Sequence, residues 1–157
     1  MREAQNNIHG TAIVIGTRGL LFCGPSGSGK STMALACLTA ARQAGAFAAL
    51  IADDQVFVTA RVNAVIASRP PSIACLIEIR HSGIARVSSI DKAVLNLAIA
   101  LVTEGEAERL PPDGERLDLR AAGSLPLIRL LRGTQHPLAI LSALRPELRG
   151  EHPFSCV

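Results

Sequence analysis

Eight consecutive residues, Gly24-Pro25-Ser26-Gly27-Ser28-Gly29-Lys30-Ser31, carry the most specific chemistry in the chain. They match G-x-x-x-x-G-K-[ST] in full, and each fixed position has a physical reason. The glycines let successive backbone N–H groups turn inward and form an anion-binding nest. A helix that starts at the nest directs its positive dipole end toward a bound phosphate. Lys30 then reaches the β- and γ-phosphates of a nucleoside triphosphate, and the Ser31 hydroxyl ligates Mg²⁺. Gly24, Pro25, Ser26, Gly27, Ser28, Gly29, Lys30, Ser31 and Thr32 are therefore the candidate nucleotide-binding residues. The competing reading is a Gly/Ser turn that fits by chance. Context opposes it, because an apolar strand (20–23) precedes the motif and a helix follows. From Lys30 to about residue 44, Met33, Ala34, Cys37, Leu38 and Ala41 recur at helical spacing, and Gly45 supplies the stop.

Three other places bear on what happens to a bound triphosphate. Asp53-Asp54 follow the continuous apolar run 48–52, which reads as a strand buried on both faces. Ligands of α/β sheets lie beyond the carboxyl ends of the strands. An acid there can hold a magnesium shell or accept a proton from an attacking hydroxyl. A plain turn pair is the alternative. Glu78 stands alone in the apolar Leu76-Ile77-Glu78-Ile79, where a charge is costly unless a cation or Arg80 pairs it, or unless it faces outward. His9, in Ile8-His9-Gly10, has the residue type for proton transfer, but a lone histidine near a terminus is ordinarily just solvated.

The elements that must position these groups are mostly strands. Residues 11–15 and 20–23, joined by a turn at 16–19, predict a hairpin. Residues 56–58 and 64–66 read as the next two strands, and Arg69-Pro70-Pro71-Ser72 forbids regular structure. Residues 75–79 and 84–87 read as a further pair about Gly83. The apolar run 93–102, interrupted by Asn96, fits a buried strand or a three-turn helix equally. Residues 103–116 form a charged loop around Pro111-Pro112, 126–131 a strand, and 137–144 a closing helix ended by Pro146. The expected class is α/β: a phosphate-binding-loop domain with a mixed sheet and flanking helices, in one unit over 1–157.

Composition narrows the class further. The 157 residues suit one domain, and the 48% apolar fraction can fill a core without any Trp or Tyr and with only four Phe. Ala, Val, Leu and Ile must do the packing. A net charge of +3 lacks the basic density of a nucleic-acid surface. Cys23, Cys37, Cys75 and Cys156 show no metal or redox spacing, and Cys23 and Cys75 read as small core residues. The polar start, Met1 to Asn7, is not followed by a signal-type apolar region, and no run approaches the ~20 residues of a membrane span. A cytoplasmic setting without nucleic-acid or membrane partners is the expectation.

Together these pieces resemble the catalytic domain of the HPr kinase/phosphorylase family, bacterial enzymes that phosphorylate a serine of the phosphocarrier protein HPr. The resemblance rests on His9-Gly10 before a hairpin, the glycine-rich loop, Ala52-Asp53-Asp54, and Ile77-Glu78-Ile79-Arg80-His81-Ser82-Gly83-Ile84, which is similar to the family signature Leu-Glu-Ile-Arg-Gly-Leu-Gly-Ile. Glu108-Arg109-Leu110 resembles the context of a family arginine. His81-Ser82 stand where the signature has Gly-Leu, and residues 132–136 echo only loosely a loop tied to the reverse, phosphorylase reaction. The length resembles short family forms of alphaproteobacteria, which lack a separate N-terminal domain.

The resemblance implies an ATP- and Mg²⁺-dependent serine kinase acting on an HPr-type protein, as a homo-oligomer such as a hexamer. It implies that His9 assists the acid/base aspartate, that Asp53 or Asp54 takes the serine proton, that Glu78 completes the Mg²⁺ site with Ser31, and that Arg109 steadies the transferred phosphoryl group. The alternatives are a P-loop ATPase and a nucleotide-binding sensor without transfer. No Asn-Lys-x-Asp supports a GTPase, and a chain this short has little length for the lid of a small-molecule kinase.

Overall fold

The computed structural model describes residues 5–148; the residues on either side, Cys156 among them, lie outside the described part. Among the described residues, nine strands and two α-helices build an α/β domain around a mixed sheet. In chain order these are β1 (Asn6–Ile15), β2 (Arg18–Cys23), α1 (Lys30–Gln43), β3 (Ala48–Arg61), β4 (Ala64–Ser68), β5 (Leu76–Ile79), β6 (Gly83–Arg86), β7 (Lys92–Val102), β8 (Arg116–Asp118), β9 (Ser124–Leu131) and α2 (Pro137–Leu144).

The main sheet runs β2-β1-β3-β4-β7-β9-β8, and β2 also pairs with β7. Strands β2, β1, β3, β4 and β7 therefore close a ring. The pairs β2–β7 and β7–β9 are parallel, and the others are antiparallel. Strand alternation sorts the side chains onto two faces. Ala12, Val14, Leu21, Ala49, Ile51, Val56, Val58, Val65, Ala67, Leu95 and Ala98, drawn from all five ring strands, form one core. Ile13, Ile15, Leu20, Phe22, Leu50, Leu97 and Ile99 form the other, against Met33, Cys37 and Leu38 of α1 and Leu141 of α2. Small and β-branched residues dominate the first core because strands curled this tightly leave no room for large rings. That accounts for the lack of aromatic residues in this core.

Closure depends on Gly19. A Cβ placed there would lie 2.1 Å from the carbonyl oxygen of Val94. The register of β2 on β7 shifts at this point, between Gly19 and Leu20. The amide skeleton of Asn96 fills the irregularity, its Oδ1 accepting the Gly19 N–H at 2.9 Å. So the one polar residue within the apolar run 93–102 is the ring's fastening. Gly19→Ala must push two backbones apart, and we expect it to lower stability by about 3 kcal/mol, read from the urea midpoint at unchanged slope.

Several expectations are corrected. The run 93–102 is a strand, β7. Residues 48–52 and 56–58 are not two strands but one, β3, so Asp53-Asp54 sit inside a strand and not at its end. The polar Asp53-Asp54-Gln55 imitates a break, but pairing with β1 runs on through it, Gly10 facing Asp54 and His9 facing Gln55. Strand β1 starts five residues earlier than the apolar pattern at 11–15 suggested, which puts His9 in the sheet. Arg116 opens the short β8 instead of ending a loop. Helix α1 begins at Lys30 as expected and ends at Gln43, with Gly45 at φ 80° beyond it. Helix α2 has the expected bounds.

Candidate functional site

A polar cleft opens where the loop between β2 and α1 faces the middle of β3. His9, Thr11, Ser26, Gly27, Gly29, Lys30, Ser31, Thr32, Asp53, Asp54, Glu78 and Arg80 line it. Most of the residues singled out by their chemistry converge here. Arg109 does not: it is exposed in the 103–115 loop and takes no part in the lining. Gly24 and Pro25 act from behind, through their carbonyls.

The loop's shape follows from its glycines. Gly27 and Gly29 sit at φ 78° and 92°, values that L side chains rarely adopt. Gly29 is the N-cap of α1, no side chain caps that end, and the first turn holds no acid. The orphan N–H groups and the dipole's positive end therefore face the cleft. Lys30, 7% exposed, donates from Nζ to the carbonyls of Gly24 at 2.9 Å and Pro25 at 3.0 Å. Burial lowers its pKa, and the Asp53 and Asp54 carboxylates oppose that shift. Ser28 packs beneath the loop with Oγ buried and unpartnered. Ser28→Ala removes that burden, and we expect it to gain about 1 kcal/mol, visible as a raised thermal midpoint.

The two aspartates have different surroundings. Asp53 is 6% exposed, and three donors hold it. Its Oδ1 accepts from Thr11 Oγ1 at 2.8 Å and Ser31 Oγ at 2.7 Å, and its Oδ2 accepts the Glu78 N–H at 2.9 Å. Asp54 is exposed and pairs with His9, Oδ1 to Nδ1 at 3.0 Å. Successive strand residues ordinarily point to opposite faces. Asp54 escapes that rule because its φ is 68°, so both acids reach one cleft. His9 bridges onward, with Nε2 3.5 Å from Lys30 Nζ. A neutral ring donating from Nδ1 to Asp54 keeps Nε2 free to accept from the lysine.

The hairpin β5–β6 supplies the opposite wall. Ile77 is anchored in the core, which leaves Glu78 outward and in the cleft. Arg69 braces the hairpin's base, donating to Ser89 Oγ and Asp91 at 2.7 Å each, with Cys75 Sγ 3.2 Å from Ser89 Oγ. Arg80 crosses to the loop: its Nη2 donates to Ser26 Oγ at 2.9 Å, and a Cβ on Gly27 would lie 2.8 Å from its Nη1. Sequence reasoning weighed Arg80 only as a partner for Glu78. Its position two residues after Glu78, just past the end of β5, was the available signal.

Magnesium was the expected ion. Among the described residues, no group of three or more His, Cys, Asp or Glu forms a ready cage. Ser31 Oγ, Asp53 and Glu78 nevertheless present the hard oxygen donors that Mg²⁺ favours, and this ion usually keeps waters and takes further ligands from phosphates. The donor set fits a phosphate-borne ion. The cysteines lie elsewhere in chemistry: burial pushes the Cys23 thiol up to about 11 and the Cys37 thiol up to about 12, so neither is poised as a thiolate. Cys37 is a core residue, whereas Cys23 and Cys75 are only partly buried, less than their apolar runs suggested.

Fold and cleft define an α/β domain of mixed sheet and two helices, with its polar groups gathered where a glycine-rich loop meets a helix N-terminus. The chain belongs to the family described as the HPr Serine kinase C-terminal domain, whose model matches residues 3–116. The resemblance read from the motifs is thereby borne out. HPr kinase/phosphorylase of Cupriavidus metallidurans is 33% identical over 122 residues, covering 71% of this chain and 36% of that protein. The Ralstonia pickettii protein of the same name is 32% identical over the same span. The chain thus spans 36% of the length of these curated relatives. The solved structure of the Hpr(Ser) kinase/phosphatase from Coxiella burnetii matches with a TM-score of 0.71 at 23% identity, over 90% of this chain and 95% of that one. At that identity the likeness speaks for the fold. No helix among the described residues is long and apolar enough to cross a membrane.

Proposed function

We propose that this domain is an ATP-dependent protein serine kinase acting on an HPr-type phosphocarrier protein. The observation that carries the reading is the division between the two adjacent aspartates. Asp53 is buried and held by three hydrogen bonds, one of them from Ser31. Asp54 is exposed beside His9. Of the two, Asp54 is the one whose carboxylate is open to an incoming hydroxyl.

The nest at 24–29 and Lys30 bind the β- and γ-phosphates of ATP. Ser31, Asp53 and Glu78 would hold Mg²⁺, which when bound neutralises charge on the phosphates. Asp54 accepts the proton of the substrate serine as its oxygen bonds to the γ-phosphorus. The bond from that phosphorus to the β–γ bridging oxygen breaks, and ADP leaves. His9 donates from Nδ1 to Asp54 and keeps the carboxylate aimed. Arg80, already over the loop, is the guanidinium placed to meet the transferred group, a role the resemblance had given to Arg109. Family membership and the names of the relatives support HPr as the protein substrate, and with it a cytoplasmic, self-associating enzyme.

Incubation with γ-labelled ATP, Mg²⁺ and an HPr-type protein tests the reading. Label is expected on the phosphocarrier protein, with little free phosphate in its absence. Phosphate released at the same rate with and without that protein would favour the ATPase alternative.

A further inference from the structure

Of the three donors that hold Asp53, two belong to residues that would themselves take the metal. Ser31 Oγ donates to Oδ1 at 2.7 Å, and the Glu78 N–H donates to Oδ2 at 2.9 Å. The third is Thr11 Oγ1, 2.8 Å from Oδ1. Thr11 is fully buried, whereas Ser31 is half-buried and Glu78 exposed. It stands directly across from Asp53 in the pairing of β1 with β3, and β1 is itself enclosed between β2 and β3. This donor stays where the sheet puts it.

We propose that Thr11 is a positioning residue for the divalent cation. Its hydroxyl holds the Asp53 carboxylate in the one rotation that lets Asp53 and Ser31 serve the same ion; the proposal rests on the magnesium reading above. Proton counting is the first argument. A serine or threonine hydroxyl has a single proton to donate. Ser31 gives its proton to Asp53, which leaves its lone pairs for a cation. That bond survives the arrival of a metal only if Oδ1 keeps its place, and Thr11 is the fixed donor to the same oxygen.

The layout of β1 is the second argument. His9 and Thr11 are two residues apart and share one face of the strand. His9 meets Asp54, and Thr11 meets Asp53. One strand thus supplies a separate partner to each aspartate. Burial is the third. Ala12, Ile13, Val14 and Ile15 continue the buried run of β1 without a hydroxyl, so packing alone does not call for one at Thr11. A hydroxyl is costly to bury unless it is paired, and the partner here is the carboxylate of the site.

Thr11→Val keeps the branched shape and removes the donor. The probe is Mn²⁺, read by electron paramagnetic resonance on the whole chain with a non-hydrolysable ATP analogue. The valine variant should raise the Kd for Mn²⁺ about tenfold, while the Kd of the analogue in EDTA stays within about twofold. Thr11→Ser restores the hydroxyl and should return the Mn²⁺ Kd to within about threefold of the unaltered chain. In transfer assays the valine variant should need about tenfold more magnesium for half its maximal rate, with kcat at saturating magnesium within about threefold. An unchanged Mn²⁺ Kd, a serine variant as weak as the valine one, or equal losses of metal and metal-free nucleotide affinity would overturn the proposal. An unaltered chain that binds the analogue but holds no Mn²⁺ beside it would strike the magnesium reading itself, and the role of Thr11 with it.

Discussion

Asp54→Asn is expected to slow phosphoryl transfer to the phosphocarrier protein by about 10³-fold while Mg-ATP affinity stays within about twofold. The asparagine keeps the shape and a contact for His9 but has no lone pair basic enough to take the serine proton. Asp54 is exposed and outside the phosphate nest, so ground-state binding has little reason to change. Asp53→Ala should behave differently. It strands the buried Thr11 Oγ1 and takes the acceptor from Ser31 Oγ and the Glu78 N–H at the cleft wall, and we expect a loss of about 2 kcal/mol in stability together with weakened magnesium dependence. Urea melts and single-turnover rates on both variants separate the roles. If Asp54→Asn turned over normally and Asp53→Ala alone lost transfer without loss of stability, the assignments would be reversed.

Lys30→Met carries the other large effect. Transfer should become undetectable, and the Kd for Mg-ATP should rise about 100-fold. The ammonium is held by two loop carbonyls at 2.9 and 3.0 Å before any ligand arrives, so its charge needs no reorganisation to meet phosphate. Burial already destabilises that charge, and a phosphate would relieve the strain. Methionine fills similar volume without charge, and circular dichroism will show whether the fold survives. Titration calorimetry with Mg-ATP gives the affinity. Near-native affinity in a folded Lys30→Met protein would remove the loop from nucleotide binding.

What could be read from sequence was what local chemistry determines. The loop 24–31 was legible because its function needs fixed residues at fixed offsets. Both helices were legible because α1 follows that loop with a clear 3.6-residue repeat, and α2 lies between Pro137 and Pro146. Strand β3 was cut in two because Asp53, Asp54 and Gln55 are polar, whereas its continuity comes from pairing with β1, a partner more than forty residues away in the chain. The same pairing brings His9 to Asp54, and no local pattern could announce it. The division of labour between the aspartates hangs on one backbone angle, the φ of 68° at Asp54. The ring closure was hidden for the same reason: Gly19 looks like a turn glycine until β7 is laid against it. Arg80 gained its place only when the β5–β6 hairpin folded over Ser26 and Gly27.

The central claim is transfer of phosphate to a serine by way of Asp54. Its most direct test is the intact mass of an HPr-type protein after incubation with this chain, ATP and Mg²⁺, with the site located by fragmentation and Asp54→Asn run beside it. The account predicts one added phosphate, on a serine, formed by the unaltered chain and nearly absent with the variant. An unmodified HPr-type protein despite demonstrated ATP binding, or equal modification by both proteins, would contradict it.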